Sequence, residues 1–346
     1  MSEDDRDPAL AGLPSPRANA DLVGHADLRA GVEARWRAGR LHHGMLLAGP
    51  RGIGKATFAY AVAAMLLAHA RTIGEGLASD ARGQLANGAA QGFRRLAVGL
   101  TREGKPKRQI GVDEVRALEP FLRQRAGANE WRVVLVDAAD DLNASSANAL
   151  LKVLEEPGER TLFILVAHRP GALLPTIRSR CEVHRPRPLS GGDLRAVLAR
   201  SDLSEPAVEA AVPHAGGSVR RAVVLAESGA GEGLDAAARL LDRPQWSASG
   251  AARVTDLATA RGADAVFAEV CETLPAMLGE RAVRAARAGD ASLSGRAASA
   301  AASIERELGT REAYGVDRAL SLRAALHAAH SALHPAPAVP SARESA

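Results

Sequence analysis

Residues 49–58, GPRGIGKATF, constrain the fold of this chain most strongly, because they have the spacing of a phosphate-binding loop. In the pattern Gly-x-x-x-x-Gly-Lys-Ser/Thr, backbone N–H groups surround phosphate oxygens, the lysine reaches the terminal phosphates and the hydroxyl binds Mg²⁺. Gly49, Gly52, Gly54 and Lys55 are the candidate nucleotide-binding residues of the loop. The apolar run LHHGMLLAG precedes it and the helix-forming run KATFAYAVAAMLLAHA follows it. The order strand, loop, helix is therefore expected.

The hydroxyl position of this loop holds Ala56, which offers no metal ligand. Thr57 is a poor substitute, because one further residue on a helix rotates the side chain by about 100°. A magnesium ligand is therefore predicted to be absent, and no metal site is expected.

A second nucleotide motif, VVLVDAADDL, places Asp137 at the end of an apolar strand, where a carboxylate faces Mg²⁺ in these folds. An active ATPase carries a second carboxylate beside it to activate water, and this chain carries Ala138. Asp140 and Asp141 follow the strand end, and nothing in the sequence aims them at the site. General-base assistance, about 10²–10⁴-fold, is therefore predicted to be missing.

The length of 346 residues exceeds one ordinary core and predicts two or three domains. Alternating helical and strand-like segments over residues 21–188 predict a parallel sheet covered by helices. Within this domain, the Gly-rich stretch from RTIGEG to GFRRL is predicted to be irregular. A helical lid is expected over residues 189–228 and a helical oligomerisation collar over 234–333. Residues 1–20 are predicted to be flexible and 334–346 disordered.

Composition excludes several classes of protein. The formal charge is only +4, with 44 basic and 40 acidic residues interspersed, which permits contact with nucleic acid without demanding it. Two distant cysteines, Cys181 and Cys271, form neither a four-thiolate zinc site nor a disulfide framework. No signal peptide or apolar run of roughly 18 residues is present, so we expect a cytoplasmic protein with no membrane partner.

The sequence NASSANALLKVLEEPGERTLFILVAHRPGALLPTIRSRCEVHRP resembles the clamp-loader branch of the AAA+ proteins. Members carry a helix of the type NALLKVLEEP, which Ser145 or Asn143 can cap here, followed by the triplet SRC at residues 179–181. The resemblance extends from about residue 21 to residue 330. It implies an α/β AAA+ parallel-sheet domain of the P-loop type, followed by a small helical lid and an all-α collar.

The resemblance also implies roles for single residues. Arg180 of the triplet corresponds to an arginine finger that acts on ATP held by a neighbouring subunit; without the resemblance it is a surface salt-bridge residue. Arg220 corresponds to a second sensing arginine that faces the chain's own nucleotide pocket, or it pairs with an acid between domains. His168 stands where active relatives carry a polar sensor. Many relatives bind structural zinc through four cysteines that this chain does not have, so no zinc is expected.

The function implied is that of a noncatalytic structural subunit of the DNA polymerase III clamp loader. Its partners would be gamma/tau-type ATPase subunits and a delta subunit in a hetero-pentameric ring, which loads a sliding clamp onto primed DNA at the nucleoid-associated replisome. No cofactor is required, and ATP binding without hydrolysis is left open. The alternative is an active AAA+ ATPase with a nonstandard magnesium and water site. A standalone nucleic-acid-binding protein is disfavoured, because only 3% of residues are aromatic.

Two smaller patterns have structural interpretations. His42 and His43 are expected to point to opposite faces of a strand, in packing or solvent roles rather than on a metal. The basic run KPKR at residues 105–108 either contacts phosphate or forms a solvated loop.

Overall fold

The computed structural model describes residues 10–99, 101, 107–123, 130–313 and 317–335, without the side chains of 309–313. Five strands are present there: β1 (Gly44–Ala48), β2 (Phe93–Leu96), β3 (Arg132–Asp137), β4 (Thr161–Ala167) and β5 (Glu182–His184). The first nine helices are α1 (Ala26–Arg37), α2 (Lys55–Leu67), α3 (Ile73–Leu77), α4 (Asp80–Ala86), α5 (Val112–Arg116), α6 (Leu118–Arg123), α7 (Ala144–Glu155), α8 (Pro175–Ser179) and α9 (Gly191–Leu198). They are followed by α10 (Glu205–Ala211), α11 (Val219–Ser228), α12 (Ala230–Asp242), α13 (Ala248–Thr259), α14 (Asp264–Arg287), α15 (Ala291–Ala313) and α16 (Arg318–Leu333).

The five strands form one parallel sheet in the order β2-β3-β4-β1-β5. Strands β1 and β4 are buried along their whole length, as expected for a parallel sheet with helices on both faces. On β4, Leu162 and Ile164 join the apolar cluster around α2, whereas Phe163 and Leu165 join the cluster around α7. The predicted α/β parallel-sheet domain, followed by helical segments, is confirmed.

Helix α2 forms the centre of one of these clusters. Ten of its thirteen residues are buried, because its sequence is apolar on all sides rather than along one stripe. Helix α7 covers the other face with Leu150 and Leu154. Of the two capping residues expected for α7, Asn143 is the one used, and its side chain accepts from the N–H of Ser146 at 2.9 Å.

The Gly-rich stretch predicted to be irregular instead contains α3, α4 and the edge strand β2, so that prediction was wrong. Thr72 caps α3 by accepting from the N–H of Glu75. A Cβ on Gly76 would lie 2.5 Å from the Cα and N of Met65 on α2. Glycine therefore allows α3 to pack directly against the backbone of α2.

The start of the chain also differs from the flexible lead-in predicted for residues 1–20. Residues 1–9 lie outside the described part, but residues 10–20 are packed in place. Leu13 is 7% exposed, and the carbonyl of Ala11 accepts from the N–H of Asp202 at 2.9 Å.

The chain forms two compact units, Met1–Asp202 with Gly216–Arg221, and Leu203–Ala215 with Ala222–Ala346. The stretch predicted as a separate lid, residues 189–228, is therefore divided between them. Gly217 helps to explain the division, because a Cβ there would meet Pro188 at 2.4 Å, which places its segment against the sheet domain. A stretch of about 40 residues is also too small to bury a core of its own.

In its described residues the second unit consists of helices joined by turns and short loops, without strands. Its core draws apolar side chains from α10 to α16, including Ala211, Leu225, Leu234 and Leu326. No helix in the described part of the chain combines the length and the apolar character that a membrane crossing requires. The predicted tail, residues 334–346, lies outside the described residues except for 334 and 335.

Two glycines of α3 give a matched test of its packing. Gly76→Ala should lower the free energy of unfolding by about 1–3 kcal/mol, because the new methyl group overlaps the backbone of Met65. Gly74→Ala should be neutral or stabilising by up to about 1 kcal/mol, since nothing lies within 4 Å of its Cβ position. Urea unfolding of both variants measures the difference, and equal effects would contradict this packing.

Candidate functional site

The candidate site lies at the edge of the sheet where the parallel strands end. β1 leads into the loop at residues 49–54, β3 ends at Asp137, and β4 is followed by His168. These elements border a cavity of about 330 Å³. Five candidate nucleotide-site residues from the sequence line this cavity: Gly52, Gly54, Lys55, Asp137 and Arg220. Gly49, the first residue of the loop, is not among the residues that line it.

Lys55 turns its ammonium group onto its own loop. The side chain is buried, and Nζ donates to the carbonyl of Gly49 at 2.7 Å and to the carbonyl of Pro50. Burial lowers the pKa of Lys55 to about 8, against the opposing effect of the carboxylates of Asp140 and Asp137. The loop thus satisfies the hydrogen bonds of its lysine internally.

Gly52 lets the segment at residues 218–220 approach the phosphate-binding loop closely. Gly52 has a φ of +77°, and a Cβ on it would lie 2.2 Å from Ser218 Oγ and 2.8 Å from Arg220 Cβ. The carbonyl of Gly52 accepts from the N–H of Val219 at 2.9 Å. This contact places Arg220 at the cavity, the position that the family resemblance implied.

Asp137 lies beside a basic residue that the sequence did not indicate. Its Oδ2 is 3.3 Å from Nη2 of Arg95 on the edge strand β2, and their side chains are 14% and 27% exposed. The carboxylate that would face Mg²⁺ is therefore neutralised by a guanidinium from the same sheet.

The two acids after Asp137 behave differently from each other. Asp140 accepts from the backbone N–H groups of His168 at 2.6 Å and Arg169 at 2.7 Å, so it joins the ends of β3 and β4. Asp141 lines the cavity, and burial raises the pKa of its carboxyl group. The expectation that neither acid returns to the site was wrong for Asp141.

These residues do not fit a bound Mg²⁺. Ala56 lines the cavity without a ligand atom, and Asp137 is engaged by Arg95. Thr57 also lines the cavity, but no second carboxylate lies next to Asp137, where Ala138 is buried. In nucleotide sites Mg²⁺ is held by one or two protein ligands together with phosphates and water, and here the usual hydroxyl position is Ala56 while the usual carboxylate is paired with Arg95.

His168 lies at the end of β4 with its Nδ1 buried and without a hydrogen-bond partner in the described structure. Burial, together with the positive charges of Lys55 and Arg51, lowers the pKa of its ring to about 4. The ring is therefore neutral at pH 7.

Arg180 lies apart from the cavity, directly after α8. Its Nη2 is 2.6 Å from Glu155 Oε1, and its Nη1 donates to the carbonyl of Thr176 at 3.1 Å. The side chain is 36% exposed. In the described chain Arg180 thus forms a surface salt bridge with Glu155. This is one of the two roles that the sequence allowed for Arg180.

The backbone around Arg180 is held close to the sheet. A Cβ on Gly44 of β1 would lie 2.9 Å from the carbonyl oxygen of Arg180 and 3.1 Å from Sγ of Cys181. Cys181 is buried, and burial raises the pKa of its thiol to about 11, which suits a packing role. The packing of Cys181 and of the Arg180 backbone against β1 therefore fixes the position from which the Arg180 side chain extends to the surface.

The two smaller patterns have different outcomes. The rings of His42 and His43 stack at 4.3 Å, because both residues precede β1 instead of alternating along it, so the prediction of opposite faces was wrong. Within the described residues no cluster of three or more His, Cys, Asp or Glu side chains is placed to bind a metal. In the basic run, Lys107 pairs with Glu114, and residues 105 and 106 lie outside the described part.

The pKa of His168 gives a test of the site. Because the folded protein resists protonation of this ring, its stability should fall as the pH drops from about 6.5 towards 4. Between pH 7 and pH 5 the protein should lose about 1–2 kcal/mol more unfolding free energy than the variant His168→Gln. Urea unfolding at both pH values measures this loss, and an equal loss in both proteins would contradict a buried neutral ring.

Comparison with known proteins gives matches over the sheet domain. A sequence profile of the family described as DNA polymerase III, delta subunit, matches residues 25–190. The delta-prime subunit of Pseudomonas aeruginosa is 37% identical over 206 residues, which are 56% of this chain and 60% of that protein. The Escherichia coli delta-prime subunit is 34% identical over 157 residues, 44% of each chain.

Other matches are more distant. The DNA polymerase III subunit gamma/tau of Mycobacterium tuberculosis is 32% identical over 191 residues, 54% of this chain and 31% of that protein. A solved gamma subunit-related protein of Thermotoga maritima aligns at 16% identity with a TM-score of 0.37, over 87% of this chain and 99% of that one. The chain thus covers 60% or less of the length of these three sequence relatives. Residues 25–190, which carry the α/β parallel-sheet fold, are thus similar to the delta-prime and gamma/tau subunits of DNA polymerase III.

Proposed function

We propose that this chain is a noncatalytic subunit of the DNA polymerase III clamp loader, which presents Arg180 to a nucleotide held by a neighbouring subunit. The observation that carries the proposal is the contrast between two sites. At the chain's own site, Asp137 is paired with Arg95 and Asp140 accepts from backbone N–H groups. This leaves Asp141 as a further acid that lines the cavity. Arg180, in contrast, is partly exposed outside that cavity.

The chain's own site supports no phosphoryl transfer. Such catalysis depends on a metal that bridges phosphates and on a group that orients the attacking water. Ala56 and Ala138 remove the side chains for both tasks, and Asp140 is bound to the backbone N–H groups of His168 and Arg169.

Arg180 has the chemistry and the position for a role in trans. Its guanidinium is planar, permanently charged and suited to two hydrogen bonds with phosphate oxygens. Its ion pair with Glu155 is half-exposed, and pairs of this kind contribute only about 0–1 kcal/mol. A phosphate of a nucleotide bound to an adjacent subunit can therefore replace Glu155 as the partner of Arg180 with little loss of free energy.

The delta-prime and gamma/tau relatives support partners among the subunits of DNA polymerase III. Gamma/tau-type ATPase subunits and a delta subunit would complete a hetero-pentameric ring that places a sliding clamp on primed DNA, in the cytoplasm at the replisome. The helical second unit would serve as the collar that joins the subunits.

The isolated chain should not turn over ATP. Phosphate release with Mg²⁺ should equal the background without enzyme, and Lys55→Ala should leave it unchanged, because the metal ligand and the water-orienting acid are absent. A coupled phosphate assay measures both proteins. Steady turnover that Lys55→Ala abolishes would instead establish an active ATPase with a nonstandard site.

Arg180 should be required in the assembled loader. Arg180→Ala should lower DNA-stimulated ATP hydrolysis at the neighbouring site by roughly 10³–10⁵-fold, with a smaller loss in the whole ring because other sites continue. Arg180→Lys should recover little, since an ammonium group does not reproduce the planar fork. The reconstituted loader is assayed for hydrolysis and clamp loading after its assembly has been checked.

Arg178→Ala is the matched control, because Arg178 is an exposed arginine two residues away on α8. It should leave hydrolysis unchanged. Normal rates for Arg180→Ala in an intact ring would refute the proposed role.

A further inference from the structure

Arg95 occupies a distinctive place in the cavity at the phosphate-binding loop. It projects from β2, and its Nη2 lies 3.3 Å from the carboxylate of Asp137. The sheet register pairs Arg95 with Leu135, so the side chain reaches the end of β3 from the neighbouring strand. A positive charge is thereby fixed beside the acid that would otherwise face a divalent cation.

The lining of the cavity has an excess of positive charge. Five basic side chains and three acidic ones border it, and His168 is neutral at pH 7 because burial lowers its pKa to about 4. The basic set is Arg51, Lys55, Arg95, Arg200 and Arg220. Such a lining attracts an anion and repels a free divalent cation.

Mg²⁺ normally compensates two kinds of negative charge in a nucleotide site, the strand-end carboxylate and the phosphates. In this chain Arg95 already compensates the carboxylate of Asp137, and Ala56 removes the hydroxyl ligand. A guanidinium also donates hydrogen bonds to phosphate oxygens in a fork geometry. One side chain therefore combines both electrostatic tasks.

We propose that Arg95 takes the electrostatic place of the metal, so that this cavity binds a phosphate-bearing anion without a divalent cation. The proposal concerns the chain's own cavity and does not depend on the role of Arg180. Anion binding here is structural, since the charges that hold the ligand do not activate water.

The test is calorimetric titration of the full chain with ADP and with inorganic pyrophosphate, each in EDTA and in Mg²⁺. The wild-type protein should bind both probes in EDTA, and Mg²⁺ should not tighten that binding, because Mg²⁺ competes for the free probes in solution. Arg95→Ala should weaken binding in EDTA roughly tenfold or more, the usual effect of losing a charged hydrogen bond. Mg²⁺ should restore part of that loss, because Asp137 then lacks its internal counter-charge.

Two further variants guard against a folding artefact. Asp137→Asn should tighten binding in EDTA, because it removes a carboxylate that repels the anion and engages Arg95. Arg94→Ala is the matched control from the same strand; its guanidinium lies 4.6 Å from the centre of the Phe121 ring and does not line the cavity. Thermal unfolding confirms that each variant is folded.

Three results would overturn the proposal. The wild-type protein binds neither probe, it binds them only when Mg²⁺ is present, or folded Arg95→Ala binds them in EDTA as tightly as the wild type.

Discussion

Burial of the parallel sheet on both faces is the constraint on which the rest of the first unit depends. Helices cover both faces of the sheet. Because all strands are parallel, each connection returns the chain to the edge where strands begin, and all strands end at the opposite edge. The same edge therefore holds the loop that follows β1, Asp137 at the end of β3 and His168 directly after β4. The parallel topology alone brings them together. What this edge can do depends on the side chains at the strand ends.

At this edge several polar groups pair with one another. Lys55 donates to carbonyls of its own loop, Asp137 pairs with Arg95, and Asp140 accepts from two backbone N–H groups. Internal pairing of this kind stabilises the fold of the loop without preparing it for catalysis. Arg180 differs, because its half-exposed ion pair with Glu155 can be exchanged for another anion. Under the proposed function, this contrast separates a site that does not hydrolyse nucleotide from an arginine that is available to a neighbouring subunit.

The sequence was sufficient where burial dictates the pattern. Strands β1, β3 and β4 are unbroken apolar runs, and α2 is apolar on all sides, so their type and order were predictable. Edge strand β2 was not predictable, because FRRL is short and places two adjacent arginines between two apolar residues, which is not the alternation typical of a strand. Gly76 resembled a helix breaker, although it serves a close helix contact. Arg95 was missed because its partner lies 42 residues away and the pairing depends on the register between β2 and β3.

The central claim is that the nucleotide served by this chain belongs to a neighbour. A structure of the assembled loader with primed DNA and a non-hydrolysable ATP analogue tests it most directly. The account predicts the Arg180 guanidinium at hydrogen-bond distance, about 3 Å, from the terminal phosphate of a nucleotide in the adjacent subunit, with its contact to Glu155 broken. It also predicts no metal ion beside Asp137. Arg180 still paired with Glu155 while Mg²⁺ and the analogue occupy this chain's own loop would contradict it.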